Sequence, residues 1–187
     1  MNRLWVGLLA LLLSLACTAN PVVIVTPGAN TGTSGNTAPS GGSNNSVSAP
    51  SGEQGRVVNV IDGDTIDVNI NGEVVRIRYL GMNTTERGET CYNEGRDANA
   101  ALVAGQIVTL VPDRETEDRF GRALRYVYVG NTFVNAELVR QGWAEAVMYE
   151  PNDAHWQELI AIEQEATRAG RGCHGISTLF DDSTYSR

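Results

Sequence analysis

The chain of 187 residues is long enough for one globular domain of ordinary size plus additional segments. Its formal net charge is -8, with 22 acidic residues against 14 basic residues, all of which are arginine. This balance excludes binding of a polyanion through a global positive field, so any contact with phosphate would have to rest on a local cluster of arginines.

A short apolar run follows Met1 to Arg3 and ends at Cys17. One cation before the run and small residues after it predict an export signal over residues 1–17, and the run is too short to span a bilayer. Ala16-Cys17 resembles a bacterial lipoprotein cleavage site, which would make Cys17 the lipidated first residue of the mature protein. Plain cleavage after Ala19 and an uncleaved anchor reaching Val25 are the alternatives. The predicted location is therefore extracytoplasmic, with the protein lipid-anchored at a cell membrane or secreted.

Residues 18–55 form the next segment, and from Thr26 onward they are nearly all Gly, Ser, Thr, Asn, Pro and Ala. A segment of this composition has almost nothing to bury and predicts a flexible linker with a reach of roughly 30 Å. The folded domain is predicted over residues 56–176. Residues 177–187 are predicted to be a frayed tail.

Three short runs rich in β-branched residues open the predicted domain. The first covers Arg56 to Ile61, and the second, Thr65 to Ile70, alternates apolar and polar residues with the period of a half-buried strand. Asn71-Gly72 then predicts a type I′ turn, and Val74 to Leu80 returns as the antiparallel partner. The pattern indicates three consecutive antiparallel strands.

The second half of the domain predicts two more strands and three helices. A loop from Met82 to Thr90 leads to a predicted helix over Cys91 to Ala104, with Ala98, Ala101 and Leu102 facing inward. A strand over Ile107 to Val111, a charged loop over Asp113 to Gly121 and a strand over Leu124 to Val129 follow. The last predicted elements are a short helix over Ala136 to Gln141, capped by Asn135, and a longer helix over Asn152 to Ala169. The predicted fold class is mainly β with helices: a small, five-stranded, partly open Greek-key barrel of the OB type with about three α-helices, preceded by the disordered tether.

Cys91 and Cys173 are the two cysteines of the predicted domain. Thiols outside the cytoplasm tend to be oxidised, so this pair predicts a disulfide that closes a loop of about eighty residues. The alternative is a zinc site built from Cys91, Cys173, His174 and His155, which lacks the close ligand pair that such sites usually contain.

Carboxylates and an arginine lie on and just after the predicted strands, which is the placement that a hard cation beside a phosphate requires. Five motifs in order then resemble the thermonuclease (staphylococcal nuclease-like) family: Ile-Asp-Gly-Asp-Thr at 61–65, Ile-Arg-Tyr-Leu-Gly at 77–81, Asn-Thr-Thr-Glu at 83–86, Asp-Arg-Phe-Gly-Arg at 118–122 and Leu-Val-Arg-Gln-Gly at 138–142. The resemblance covers about Arg56 to Gly175.

The resemblance implies an OB-fold enzyme that uses one Ca²⁺ to hydrolyse phosphodiester bonds in DNA and RNA, preferably single-stranded, by cleavage on the 5′-O side that leaves 3′-phosphates. A monomer is expected. The roles carried over by matching position are metal ligands at Asp64, Asn83 and Thr84 (through its carbonyl), catalytic residues at Arg78, Glu86 and Arg122, and a substrate contact at Tyr149. In this set Arg78 and Arg122 flank the scissile phosphate, and Glu86 orients or activates the attacking water.

Two residues depart from the family pattern. Asn83 stands where Asp is usual, and because calcium affinity falls with the charge of the ligands, this predicts weaker calcium binding without loss of catalysis. Thr85 stands where Pro is usual, which predicts a less rigid loop. Asn83 and the acidic balance motivate an alternative function, a catalytically weak OB-fold module that binds nucleic acid or another ligand at the cell surface. For Phe120, core packing and contact with substrate are both open.

Overall fold

The computed structural model describes residues 50–176 and Phe180. The predicted export signal, the lipidation site Cys17, the linker up to residue 49 and the predicted tail other than Phe180 lie outside the described residues. Within the described residues, no helix has the length and apolar character needed to cross a membrane.

The described residues form strands, three α-helices and a 3₁₀ helix. In chain order these are β1 (Glu53–Val60), β2 (Thr65–Ile70), β3 (Glu73–Tyr79), β4 (Met82–Asn83), α1 (Tyr92–Val103), β5 (Ile107–Val111), β6 (Ala123–Val129), β7 (Thr132–Phe133), α2 (Val134–Gln141), β8 (Glu145–Ala146), α3 (Trp156–Arg168) and the 3₁₀ helix Gly172–Gly175. The predicted bounds of β2 and β5 are confirmed to the residue, and β1 begins three residues before the predicted start.

Five of the strands make a closed barrel. Their order is β3-β2-β1-β5-β6, and a parallel pairing of β3 with β6, which includes Arg78 opposite Leu124, closes the ring. The OB-type barrel with three helices is thus confirmed, although it is closed where a partly open barrel was predicted. The barrel interior is apolar, with Ile66, Val68 and Ile77 fully buried. Burial of each such side chain contributes about 1.5–3 kcal/mol.

The hairpin between β2 and β3 determines which strand residues reach the end of the barrel. Asn71 and Gly72 have φ angles of 53° and 96°, so both adopt the left-handed backbone of the predicted turn. The resulting register places Arg76 opposite Asp67 and Arg78 opposite Thr65. Arg78 therefore lies at the end of the hairpin where the connection from β1 to β2 also lies.

The strand pair β4 and β8 was not predicted, because each strand is only two residues long. β4 lies inside the predicted loop from Met82 to Thr90, and it pairs antiparallel with β8, so that Asn83 faces Glu145. This small sheet attaches the start of that loop to the segment after α2.

The predicted cap of α2 is wrong. The helix begins at Val134, and Asn135 is fully buried in its first turn. The Asn135 amide accepts a hydrogen bond from the Val127 backbone N–H (2.9 Å) and donates one to the Leu80 carbonyl (2.8 Å), so it joins β6 and the residue after β3 to the helix. In the sequence, a polar residue at the start of a helix looks the same whether it caps that helix or bonds to another segment.

The inward face of α1 and the start of α3 also differ from prediction. Ala98 and Leu102 pack against the core as expected, whereas Ala101 is exposed. α3 begins at Trp156 and not at Asn152, because the Asn152 side chain instead accepts from the Glu115 backbone N–H at 2.8 Å and holds a neighbouring loop.

Cys91 and Cys173 form a disulfide, with their Cα atoms 6.3 Å apart. The predicted pairing is confirmed and the zinc alternative is wrong, since both thiols are consumed. The bond joins the residue before α1 to the 3₁₀ helix near the end of the described chain. It thereby fixes the end of the loop that carries Glu86.

Candidate active site

The Asp62-Gly63-Asp64 turn joins β1 to β2 and forms one wall of the candidate site. The Asp64 N–H donates to Asp62 Oδ1 at 3.1 Å, which closes the turn locally. A Cβ atom at Gly63 would approach the Thr84 side chain to 2.6 Å, so the absence of a side chain lets the loop after β4 pack directly on the turn. The two chain segments are about twenty residues apart in sequence and in contact in the fold.

A buried asparagine that the sequence analysis missed holds the same turn from beneath. Asn99 of α1 donates to the Asp62 carbonyl at 2.9 Å and accepts from the Tyr79 hydroxyl at 2.9 Å. Burial raises the pKa of Tyr79, so this hydroxyl remains a donor. Nothing in the helical pattern distinguished Asn99 from a solvent-facing residue.

The Asp64 carboxylate is buried and held on both oxygens. Its Oδ2 accepts from the Thr84 N–H (2.9 Å) and the Thr84 hydroxyl (3.0 Å), and its Oδ1 accepts from the Thr65 hydroxyl at 3.1 Å. Asp62 lies beside it, and burial followed by repulsion from Asp64 raises the pKa of Asp62. The turn therefore concentrates negative charge where the Thr84 loop meets it.

Arg78 is buried against these carboxylates. Its Nη1 lies 2.7 Å from Asp64 Oδ2, and its Nη2 donates to Asn83 Oδ1 at 2.8 Å. Burial opposes the charge, but the surrounding acids, first among them Asp64, raise the pKa of Arg78. Although Nη1 is close to Asp64, no acceptor is aligned with its N–H bonds, which is uncommon for a buried nitrogen.

Arg122 reaches the site from the loop before β6 and is held by Asp118. The Arg122 Nε lies 2.7 Å from Asp118 Oδ2, and the backbone N–H groups of Arg122 and Phe120 both donate to Asp118 Oδ1. Partial burial acts to raise the pKa of Asp118, but these hydrogen bonds outweigh it and lower the pKa. The sequence motif indicated Arg122, but it did not indicate that Asp118 orients it.

All seven predicted metal, catalytic and substrate residues line one pocket of ≈400 Å³: Asp64, Arg78, Asn83, Thr84, Glu86, Arg122 and Tyr149. Asp62, Glu89 and Glu145 also line it, and of these the sequence analysis gave no role to Glu89 or Glu145. Glu86 is exposed at the pocket, and its backbone N–H donates to Glu89 Oε2 at 2.6 Å.

A second pocket of ≈440 Å³ adjoins the first and shares Arg78, Arg122 and Tyr149 with it. Phe120 lines this pocket with 67% of its surface exposed, so its role is not core packing. The guanidinium groups of Arg119 and Arg122 lie 4.7 and 5.5 Å from the Phe120 ring centre. Together they present a flat aromatic face flanked by positive charge.

The chemistry of the donor set at the first pocket suits a hard cation. Its side-chain acceptors are carboxylate, amide and hydroxyl oxygens, and its carboxylates outnumber its guanidinium groups five to two. Among residues 50–176 and Phe180, no three His, Cys, Asp or Glu side chains cluster closely enough to hold a metal ion by themselves. A cation here would therefore combine few carboxylates with amide, backbone and water oxygens, which is an arrangement that Ca²⁺ accepts.

Comparison with known proteins adds an independent line of evidence. Residues 76–173 match the profile of the family described as staphylococcal nuclease homologue. A thermonuclease of Staphylococcus intermedius is 36% identical over 124 residues, which cover 63% of this chain and 72% of that protein. A micrococcal nuclease of Shigella flexneri is 36% identical over 138 residues, covering 68% of this chain and 76% of the relative. Endonuclease YncB of Bacillus subtilis is 38% identical over 126 residues, covering 60% of each chain.

Proposed function

This chain belongs to the family of staphylococcal nuclease homologues, and we propose that it is a calcium-dependent nuclease that hydrolyses phosphodiester bonds in DNA and RNA. The observation that carries the proposal is the single pocket in which Arg78 and Arg122 meet Asp64 and Glu86. Relatives named as thermonuclease and micrococcal nuclease support it. The proposed cleavage is on the 5′-O side, leaves 3′-phosphates, and is carried out by a monomer.

The two arginines are proposed to bind the phosphate oxygens. In-line attack at phosphorus places negative charge on these oxygens, and donors fixed in advance stabilise that charge without reorganisation. Arg78 is fixed by Asp64 and Asn83, and Arg122 by Asp118. Removal of one fixed donor of this kind commonly lowers a rate about 100-fold to 1,000-fold.

Glu86 is proposed to orient the attacking water and accept its proton. Its side chain is exposed at the pocket, where a water can reach it, and the hydrogen bond to Glu89 fixes its backbone. A carboxylate can act as a base only within hydrogen-bond distance of the proton it removes, so this placement is required for the role.

Asp64, Asn83 and the Thr84 carbonyl are the proposed calcium ligands. Ca²⁺ bound there would polarise the phosphate and offset the negative charge of the pocket. The hydrogen bonds from Thr84 to Asp64 keep the turn and the loop together, so these residues remain adjacent.

Tyr149 and Phe120 are the proposed contacts to the nucleotide. Tyr149 lines both pockets, and the exposed Phe120 ring can stack on a base while Arg119 attracts the backbone. Stacking of this kind requires a base that has left its duplex partner, which supports the proposed preference for single strands.

The protein is proposed to act outside the cytoplasm, anchored through lipidated Cys17 or secreted. Support comes from the export signal predicted over residues 1–17 and from the Cys91–Cys173 disulfide, since disulfides persist in oxidising compartments. The membrane would be contacted only through the lipid, with residues 18–52, which precede β1, as a spacer.

Cleavage of a single-stranded DNA oligonucleotide by the purified protein, with calcium and then with chelator, tests the function. Glu86→Gln is expected to lower kcat about 100-fold or more. Glu94→Gln is the matched control, because Glu94 is exposed in the first turn of α1 and does not line the pocket. Oligonucleotide binding that persists in chelator, without cleavage in Ca²⁺, Mg²⁺ or Mn²⁺, would instead support a nucleic-acid-binding module.

A further inference from the structure

Glu145 is a buried carboxylate at the pocket that belongs to none of the sequence motifs. It lies on β8, with only 6% of its surface exposed, and it is the backbone partner of Asn83 on β4. Burial of a carboxylate is unfavourable unless polar groups compensate for the lost water, so its partners indicate what it does.

A chain of polar contacts connects Glu145 to the phosphate-binding arginine. Glu145 Oε1 accepts from Asn83 Nδ2 at 3.2 Å, Asn83 Oδ1 accepts from Arg78 Nη2 at 2.8 Å, and Arg78 Nη1 lies 2.7 Å from Asp64 Oδ2. Glu145 is thus connected to Arg78 through the Asn83 side chain.

The chemistry of the two neighbours allows only one orientation of the Asn83 amide. A guanidinium group can only donate and an ionised carboxylate can only accept, whereas an amide has one donating and one accepting end. With Arg78 on one side and Glu145 on the other, the amide oxygen must face Arg78. Without Glu145, only Arg78 would favour this orientation, and the amide NH₂ would lose the acceptor that Glu145 provides.

We propose that Glu145 is a positioning residue of the nuclease site, which orients the Asn83 amide so that Asn83 holds Arg78 in place. The proposal rests on the proposed function for its effect on catalysis. It also assigns a reason for the amide at position 83. A carboxylate there would face the buried Glu145 across 3.2 Å, and two carboxylates at that distance disfavour each other's ionisation.

The first test is Glu145→Gln, in which the side chain keeps its size but can present either end to Asn83. The kcat for single-stranded DNA is expected to fall about tenfold, while KM changes less than about twofold, because Arg78 is misplaced and not removed. In an Asn83→Ala background the same change should alter kcat less than about twofold, since the proposed effect of Glu145 on Arg78 passes through Asn83. An equal loss in both backgrounds would overturn the proposal.

The second test is rescue. At saturating calcium, where the stronger calcium binding expected of a carboxylate at position 83 makes no difference, Asn83→Asp alone is expected to lower kcat. Asn83→Asp with Glu145→Gln should recover kcat to within about threefold of the wild type, because a glutamine NH₂ can donate to the new carboxylate. Glu163→Gln is the matched control: Glu163 is similarly buried on α3, lies outside the pocket, and its change should leave kcat unaltered. A double variant no better than its two single variants would contradict the proposal.

Melting temperatures of the same variants, measured in chelator without DNA, give a readout that does not depend on catalysis. Asn83→Asp is expected to lower Tm by at least about 4 °C, and the added Glu145→Gln change should restore it. If the wild-type protein cleaves no DNA, the proposed function fails, but the melting temperatures of these variants still test the contact between Asn83 and Glu145. Additive Tm changes would overturn the positioning role whatever the activity.

Discussion

Replacement of Arg78 by lysine tests whether the shape of the guanidinium group, and not only its charge, is required. The Arg78 Nη1 and Nη2 atoms reach two separate groups, Asp64 at 2.7 Å and Asn83 at 2.8 Å. A lysine ammonium is a single point on a flexible stem and cannot occupy both positions. Arg78→Lys should therefore keep the charge beside Asp64 and lose the hydrogen bond to Asn83.

The magnitudes follow from these contacts. A hydrogen bond to a charged group contributes about 1.5–3 kcal/mol, so the free energy of unfolding should fall by about that amount. The loss of a fixed, forked donor at the phosphate should lower kcat about 100-fold to 1,000-fold. Steady-state cleavage of a single-stranded oligonucleotide and urea unfolding followed by tryptophan fluorescence measure the two quantities.

Arg76→Lys is the matched control, since Arg76 lies two residues earlier on β3. It donates two hydrogen bonds to Asp67, at 2.8 and 3.2 Å, but its side chain is 52% exposed and does not line the pocket. Solvent screens this pair, so the expected stability change is within about 0.5 kcal/mol, and activity should be unchanged. If Arg78→Lys retained kcat within about threefold of the wild type, the role of Arg78 as a forked phosphate donor would be refuted.

Three further predictions concern the groups that hold the site. Cys91→Ser with Cys173→Ser opens a loop whose ends are 82 residues apart, and on the chain-entropy model unfolding free energy should fall by about 4.5 kcal/mol, measured in urea. A loss below about 1 kcal/mol would show that the bond constrains little. Asp118→Asn should lower kcat about tenfold by releasing Arg122. Folding lowers the Asp118 pKa from its ordinary 3.8, so the ionised carboxylate stabilises the fold above pH 3.8, and this stabilisation is lost as the pH falls through the folded-state pKa. The difference in unfolding free energy between Asp118→Asn and the wild type should therefore disappear in acid. Asn135→Ala should leave two buried backbone groups unpaired and cost about 2–4 kcal/mol, and a loss under about 1 kcal/mol in thermal unfolding would contradict that accounting.

The parts of the fold that were predictable are those with a local cause. The β2–β3 hairpin was predicted from Asn71-Gly72 because only a few residue types adopt left-handed backbone at little cost, and the alternation of β2 identified its buried face. The pocket residues followed from motifs that the resemblance supplied. Their convergence was not visible in the composition, since the close approach of Gly63 to Thr84 joins the turn between β1 and β2 to the loop after β4.

The parts that were not predictable depend on contacts distant in sequence. Asn135 was predicted as a helix cap and Asn152 as the first residue of a helix, but the side chain of each instead bonds to backbone of another segment. Glu145 lies on a strand of two residues, too short for any periodicity, and its partner is 62 residues away. Such polar contacts become evident only when the strands and helices have been placed, and they are the contacts that orient the candidate catalytic groups.

The charged residues that line the pocket indicate how an acidic chain could bind an anionic substrate. Five carboxylates and two guanidinium groups line it, so without a cation the pocket repels phosphate despite Arg78 and Arg122. A divalent cation held beside Asp64 would reduce the excess of three negative charges in the pocket to one, while the rest of the surface stayed acidic. On the proposed function, calcium would therefore govern substrate binding as well as the chemical step.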